Sequence, residues 1–508
     1  MPGPVWIWAA PPAPSAQLGL AARHSTCRAA QRPAGLDRAG GAMTANHAPD
    51  EVDLVVIGGG PAGENLADYA TRDSGLSAVL VEEELLGGEC SYWACMPSKA
   101  LLRPIEVRET ASHLPGISTP QLQVDELLRR RDDWVAHYDD AGQVGWAESV
   151  GIPVVRGTAR LVGERVVEVH GPDGVRRITA RRAVALATGS VPVVPELYAG
   201  VHAWGSRDVT GVVEIPERLA IVGGGVVACE AAVWMNALGA RVTMLVRGER
   251  LLAPFEPFAG EAVLTSLRGQ GVDVRLNTQV TSCRRDAPAQ TGIGHVHGGP
   301  VYLGIGEAEL VADELLLALG RRPRLSGLGL ERVGVTSQDV IGGSLPDWLL
   351  AVGDASGEPA LTHWGKYRGR VLGERLAAEA QGRPRPVVPD VVPVPQVVFT
   401  MPQVASVGLT QAQAQREGRQ FTVSQVPFTS AAGAALLQDD ATGEAMLMVD
   451  SSGVLLGATF VGPEVAELVH AATVAIVGAV PVPALRHAVP SYPTASELWL
   501  RLLEALPG

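Results

Sequence analysis

Val52-Asp53-Leu54-Val55-Val56-Ile57-Gly58-Gly59-Gly60-Pro61-Ala62-Gly63 is the stretch from which the organisation of this 508-residue chain follows. The apolar run Val52–Ile57 predicts a strand that breaks on glycine, and a helical stretch follows. Gly58 allows a tight turn, Gly60 lets the backbone approach a pyrophosphate, and Gly63 lets the helix pack on the strand. Free N–H groups at the start of that helix favour an anion. A second apolar run, Ala78–Val81, ends at Glu82, where a carboxylate can accept hydrogen bonds from ribose hydroxyls. Strand, glycine turn, helix and strand make one dinucleotide-binding βαβ unit.

The same grammar recurs downstream. Leu219–Val222 leads into Gly223-Gly224-Gly225-Val226-Val227-Ala228, a helix, and a second strand over Arg241–Val246. Here Ala228 replaces the third glycine, and the strand ends in Arg247, with Arg250 close behind, where the first unit has an acid. A carboxylate at that point repels a 2′-phosphate, whereas guanidinium groups hold one bidentately, so the second unit is expected to prefer NADPH to NADH. The polar segment Arg284–Pro300 reads as a surface loop within this unit. A third region begins after the Pro/Val-rich stretch Pro386–Pro395. Strands are expected at Val397–Phe399, Ala405–Val407 and Val454–Phe460, with a helical run over Val465–Val477. It carries no glycine fingerprint and reads as an α+β domain with another task.

The composition fits this division. The chain is too long for one hydrophobic core, and 46% apolar with 19% charged residues is a globular balance. A formal net charge of −13 argues against nucleic-acid and anionic-membrane partners and for small molecules. No run of about 18 apolar residues occurs, so a soluble protein is expected. Five cysteines, Cys27, Cys90, Cys95, Cys229 and Cys283, are too few for a disulfide framework and favour a reducing, cytoplasmic setting. Residues 1–50 are rich in Ala, Pro and Arg, with no acid before Asp37, and read as a dispensable extension or, less readily, a transit peptide.

One cysteine pair needs its own account: Gly87-Gly88-Glu89-Cys90-Ser91-Tyr92-Trp93-Ala94-Cys95-Met96-Pro97-Ser98-Lys99. In a regular helix, residues five apart have Cα atoms roughly 8 to 9 Å from one another. That exceeds the roughly 7 Å limit for a disulfide. A bridge therefore requires a distorted turn, and Pro97 supplies a reason for one, since it cannot donate to the Trp93 carbonyl. A strained bridge near a helix start is of the labile, catalytic kind. By spacing alone, a redox pair and two buried structural thiols stand equal.

The motif in its setting resembles the class I pyridine nucleotide-disulfide oxidoreductases, the family of dihydrolipoamide dehydrogenase, glutathione reductase and mercuric reductase. The likeness runs in family order through Ala187-Thr188-Gly189, Gly320-Arg321-Arg322-Pro323, Ala351-Val352-Gly353-Asp354, Leu361-Thr362-His363, Phe399-Thr400-x-Pro402 and Val407-Gly408-Leu409-Thr410. It implies an α/β fold with two dinucleotide-binding, Rossmann-like domains and a C-terminal α+β dimerisation domain. The resulting division is an FAD-binding domain over 51–200 and 323–390, an NAD(P)-binding domain over 201–322, and a dimerisation domain over 391–508. The resemblance places FAD on Gly58, Gly60, Gly63, Glu82, Lys99, Thr188, Gly189, Gly353, Asp354 and Thr362. NADPH falls to Gly223, Gly225, Ala228, Glu230, Arg247, Arg250 and Gly320. Cys90 would then attack the acceptor, Cys95 would lie against the flavin, and Lys99 would pair with Glu230. A homodimer would complete the active site across its interface. Cys229 and Cys283 have no family role and read as small buried hydrophobes.

One departure bears on function. Disulfide-reducing relatives end in His-Pro-Thr-x-x-Glu, whose histidine is the acid–base partner of the attacking cysteine; this chain has Tyr492-Pro493-Thr494-Ala495-Ser496-Glu497. A phenol, with an ordinary pKa near 10, is a poor general base at neutral pH. Glu497 remains, and His487 lies five residues upstream of Tyr492, out of register. The expected reaction is transfer of electrons from NADPH through FAD and the Cys90/Cys95 pair to a disulfide or related small acceptor. Quinone reduction and soluble transhydrogenation are the alternatives, the latter disfavoured by the intact cysteine pair. The terminus Leu503-Glu504-Ala505-Leu506-Pro507-Gly508 lacks the paired cysteines that would deliver mercuric ion, and no metal site is expected. The charge argument at the second fingerprint has a direct consequence: Arg247→Glu should lower the NADPH-to-NADH ratio of kcat/KM by roughly tenfold or more, since a charged hydrogen bond contributes about 1.5–3 kcal/mol. An unchanged ratio would remove Arg247 from the nucleotide site.

Overall fold

The computed structural model describes residues 49–389 and 391–507. The extension read over 1–50, and Cys27 with it, lies outside the described residues apart from positions 49 and 50.

The opening stretch forms the central strand Glu51–Ile57, buried from Val52 onward, followed by a helix over Pro61–Thr71. It pairs in parallel with Ala78–Glu82 on one side and with Gly174–Leu186 on the other. Val154–Arg156 and Leu349–Ala351 add further parallel strands at Ala78–Glu82 and Gly174–Leu186. The long strand Gly174–Leu186 then continues into an antiparallel meander with Val166–Gly171 and Thr158–Gly163. Asp53, an acid inside an apolar run, is accounted for by Arg181, whose Nε and Nη2 donate to its carboxylate at 2.9 and 2.7 Å. That bond, foremost among several, holds the Asp53 carboxyl down at about 2.

The second fingerprint lies in a four-stranded parallel sheet ordered Asp273–Arg275, Arg241–Leu245, Arg218–Val222, Glu314–Leu317. A small antiparallel sheet of Ser282–Arg285, Val301–Ile305 and Ala308–Ala312 adjoins it in the chain. The surface loop expected over Arg284–Pro300 is loop from Asp286 onward and needs correction only at its start. Its first two residues are strand, and Arg285 is fully buried, paired with the equally buried Glu314 and donating to the Val201 and His297 carbonyls. A polar sequence hid a buried ion pair whose partner is 29 residues away.

The third region is a five-stranded antiparallel sheet, ordered Gln396–Val398, Gln403–Gly408, Leu455–Gly462, Glu444–Asp450, Phe421–Pro427. The last two strands are absent from the sequence reading. Glu444–Asp450 carries Glu, Ala and Asp, residues depleted in strands, and its place is set by packing between neighbours. Helices Val469–Val477 and Glu497–Glu504 cover the sheet, Ala472, Ile476, Leu498 and Leu502 packing with Leu447 and Phe460. The expected helix over Val465–Val477 is divided into a short 3-10 turn at Val465–Glu467 and the α-helix from Val469.

One crossing positions the site. Helix Thr362–Ala380 lies along helix Pro61–Thr71 through Gly365, Gly369 and Gly373. A Cβ at Gly369 would stand 2.5 Å from the Ala62 carbonyl oxygen, and one at Gly373 would stand 2.8 Å from the Ala70 nitrogen. The backbones therefore touch, and Asn65 of the first helix, whose Cβ lies 3.2 Å from where a Cβ at Gly369 would stand, is buried against this contact. Among the described residues no helix is long and apolar enough to cross a membrane.

Candidate active site

Cys90 lies in a short helix, Gly88–Tyr92, and Cys95 is the first residue of an 18-residue helix, Cys95–Ser112. Between them the chain leaves helical geometry at Trp93 (φ −127°, ψ −4°) and Ala94 (φ −135°, ψ −89°). This is the distorted turn the spacing requires, and Pro97 sits just inside the new helix. Trp93 holds the turn: its ring stacks on Tyr138 at 4.4 Å and its carbonyl accepts from the Thr210 hydroxyl at 2.9 Å.

The two sulfurs are unequal. The hydrogen bond from Cys90 is the largest influence on Cys95 and, with Thr362 and the Lys99 charge, brings its thiol down to about 6 against the opposing effect of burial. The same bond, followed by burial, pushes Cys90 far up, while Thr362 and Lys366 oppose. Thr362 Oγ1 stands 3.3 Å from Cys95 Sγ. Cys95 also benefits from its place at a helix N-terminus, where a negative charge is favoured. Cys90 is the thiol that keeps its proton. Cys229 is a wholly buried thiol, raised by its burial. Cys283 differs from its reading as a buried hydrophobe: it is only half-buried on an outer strand, with burial pushing it up to about 11.

Lys99, one turn along from Cys95, donates to Glu230 Oε2 at 2.8 Å and lies 4.6 Å from the centre of the Phe399 ring. Glu230 is buried, and its other oxygen accepts from the Phe399 backbone N–H at 2.9 Å. One ion pair thus joins the cysteine helix, the helix after the second fingerprint and the entry to the third region.

The pair opens on a cavity of about 780 Å³ lined by Gly58, Gly60, Glu82, Thr188, Gly189, Gly353, Asp354 and Thr362 as well as both cysteines. Its lining suits FAD. Gly58 has φ +106°, and a Cβ there would fall 2.3 Å from the Ala187 carbonyl oxygen; a Cβ at Gly63 would fall 2.2 Å from the Gly58 oxygen. Gly60, by contrast, faces room, with nothing nearer a Cβ than Gly88 Cα at 3.9 Å. Glu82 is buried at the strand end, held by the N–H groups of Gly59 and Glu84, each at 2.8 Å. Asp354 accepts from Ser190 Oγ at 2.5 Å, and Arg321 donates to Ser190 at both its hydroxyl and its carbonyl. The sequence reading missed Ser190, Arg321 and Arg207, which bonds Glu84 and Glu89 beside the cavity. Arg207 stands in the short helix Ser206–Thr210 and Arg321 in the strand Arg321–Pro323, elements remote in the chain whose meeting leaves no local pattern to find.

At the second fingerprint, Gly223 has φ +137° and its Cβ would meet the Ala318 oxygen at 2.4 Å, while Gly225 faces open space and Ala228 is fully buried. Gly320 also faces open space, with φ +100°. Arg247 is exposed, and Arg250 is half-buried with Nη2 donating to the Ala253 carbonyl at 2.8 Å. Tyr492 is 77% exposed, and neither it nor Glu497 lines the cavity that holds the cysteines. Glu497 is buried with Oε2 lacking a hydrogen-bond partner, and His487 is exposed.

Comparison with known proteins matches these features. Residues 52–365 fit the pyridine nucleotide-disulphide oxidoreductase model and residues 394–502 the dimerisation domain of the same family. Dihydrolipoyl dehydrogenase 3 of Pseudomonas aeruginosa is 32% identical over 84% of this chain and 92% of its own length. The mercuric reductase of Streptomyces lividans is 32% identical over 88% of this chain and 94% of its own. The crystal structure of LpdA from Mycobacterium tuberculosis superposes with a TM-score of 0.76 at 23% identity, covering 89% of this chain and 99% of that one. The chain belongs to the pyridine nucleotide-disulphide oxidoreductases. It is an FAD-dependent, NAD(P)H-linked oxidoreductase that acts on a sulfur group.

The inequality of the thiols can be measured in the reduced protein. Ultraviolet thiolate absorbance should rise with a midpoint of about 6 that is absent from Cys95→Ser and moved upward in Thr362→Val. A first midpoint at the ordinary thiol value of 9.0 would contradict the assignment.

Proposed function

We propose that this enzyme takes electrons from NADPH and passes them through the Cys90/Cys95 pair to a disulfide or related small acceptor, working as a cytoplasmic homodimer. The domain division is that read from the sequence: FAD on 51–200 and 323–390, NADPH on 201–322, dimerisation through 391–508. The observation that carries the reading is the split between the thiols, Cys95 favoured as thiolate and Cys90 as thiol, beside the Lys99–Glu230 pair.

FAD, when bound over Gly58, Gly60, Gly63, Glu82 and Asp354, supplies the two-electron relay between nicotinamide and sulfur. The chain's own groups perform the exchange. Cys90 loses its proton and attacks one sulfur of the acceptor disulfide, forming a mixed disulfide and expelling a thiolate that takes up a proton. Cys95 then attacks the Cys90 sulfur, closing the Cys90–Cys95 bond and releasing the second thiolate. The acceptor gains two electrons and the pair loses two. Lys99 and Thr362 stabilise Cys95 while it carries charge. Arg247 and Arg250, both at the second fingerprint, support NADPH as donor. Tyr492, contributed by the partner, would stand as a hydrogen-bond donor at the acceptor, ahead of Glu497.

The exposed phenol favours a second reading. Where a disulfide needs a strong proton partner, a quinone needs little more than access to the reduced cofactor, with the cysteines auxiliary. Anaerobic titration with NADPH separates the two. The disulfide reading expects a long-wavelength thiolate-to-flavin band that disappears in Cys95→Ser, and disulfide turnover lost in Cys90→Ser. Quinone turnover retained in Cys90→Ser, with no disulfide turnover in the parent, would overturn it.

A further inference from the structure

Thr362 contacts the Cys95 sulfur and Lys99 anchors its helix; the Cys90 end of the pair is held from elsewhere, by the short helix Ser206–Thr210 ahead of the second fingerprint. Arg207 uses its whole guanidinium there. Nε donates to Glu89 Oε1 at 2.7 Å, and Nη1 and Nη2 donate to the two carboxylate oxygens of Glu84 at 2.7 and 2.8 Å. Its Cζ lies 5.2 Å from the centre of the Trp93 ring. Three residues along, the Thr210 hydroxyl donates to the Trp93 carbonyl at 2.9 Å. Glu89 directly precedes Cys90 and Trp93 caps the Cys90 helix, so Ser206–Thr210 grips the segment that carries Cys90 at both ends. Ser206 accepts from Arg321 Nη1 at 3.0 Å, and Arg321 also bonds Ser190, the donor to Asp354. The grip is thereby tied to the wall of the FAD cavity. Exposed ion pairs contribute little one by one. Here a planar fork on one carboxylate, a further N–H on a second and an aromatic ring alongside leave the guanidinium one position.

Resting on the thiol-exchange reading of the site, we propose that Arg207 is a positioning residue for the sulfur chemistry: it holds the Cys90 helix so that the Cys90 sulfur stays within reach of Cys95. The chain leaves helical geometry at Trp93 and Ala94, between the two cysteines, so the Cys90 helix is free to swing apart from the Cys95 helix unless something opposes it. Arg207 and Thr210 oppose it from one side, at Glu89 and at Trp93. The closing step depends on this. Once Cys90 carries the acceptor as a mixed disulfide, the Cys95 thiolate attacks the Cys90 sulfur; the Cys90–Cys95 bond forms, the bond to the acceptor breaks, and the acceptor leaves as a thiolate with the electron pair. The rate of that step follows the effective concentration of one sulfur at the other, which a loosened helix lowers. The same loosening weakens the hydrogen bond from Cys90 that favours the Cys95 anion.

The test reads the closing step in FAD-loaded protein with both thiols reduced, using an aromatic disulfide whose thiolate absorbs visible light. Attack by Cys90 releases one thiolate and closure by Cys95 releases a second; the rate of the second release is followed at about pH 8, where Cys95 is largely ionised. Arg207→Met should slow it about tenfold, and Thr210→Val should slow it by less. Arg207→Lys should not restore the parent rate, because one ammonium cannot replace a fork that spans two carboxylates. In Arg207→Met the thiolate-to-flavin band should also reach its midpoint at a higher pH than in the parent, where it is about 6. Arg218→Met, which breaks the ion pair with Asp313 in the second sheet, should leave both readings at the parent values. An unchanged second release in Arg207→Met, full recovery in Arg207→Lys, or an equal slowing in Arg218→Met overturns the proposal. If Arg207→Met does not fold, Thr210→Val decides, an unchanged rate there overturning it. A parent that releases only one thiolate overturns the exchange reading instead.

Discussion

The contact on which the site depends is the meeting of helices Pro61–Thr71 and Thr362–Ala380 at Gly365, Gly369 and Gly373. It joins residues 300 positions apart in the chain at backbone distance. Through it the helix after Asp354 brings Thr362 to Cys95, while the first helix presents its N-terminus and glycine turn to the same cavity. A side chain at Gly369 would push these backbones apart. The Thr362 hydroxyl, carried on the same helix, would then be drawn away from Cys95.

Around this contact the two cysteines acquire different chemistry from ordinary physical causes. Cys95 begins a helix, accepts a hydrogen bond from Cys90 and faces Lys99, so all three influences favour its anion. Cys90 ends up as the donor in the same bond. The break at Trp93 and Ala94 makes the proximity possible, and the Trp93–Tyr138 stack with the Thr210 bond keeps the break in place. Lys99 and Glu230 then tie this segment to the second fingerprint, so the donor's unit and the sulfur site share one ion pair.

Much of this was readable in the sequence where chemistry is local. Both glycine turns, their flanking strands and the terminal Glu82 follow from patterns within thirty residues, and the requirement for a distorted turn follows from Cys90, Cys95 and Pro97 alone. The sequence was silent where the partner is remote. Asn65 looks solvated, because nothing nearby reveals that the helix carrying Gly369, about 300 residues later, will pack against it. Arg285 looked like loop until Glu314 met it in the interior, and the Met-rich strand Glu444–Asp450 owes its form to neighbours on both sides. Tyr492 was legible as a departure from the family ending, but that its phenol stands exposed and away from the cavity of the cysteines required the structure.

The most direct test of the account is to follow the thiols themselves. Protein oxidised in air, denatured and alkylated should carry no label on Cys90 or Cys95, and anaerobic addition of NADPH beforehand should expose both together while Cys229 and Cys283 are labelled alike in the two samples. Labelling of Cys90 and Cys95 that is already complete before NADPH, or that does not change with it, would contradict a redox-active pair.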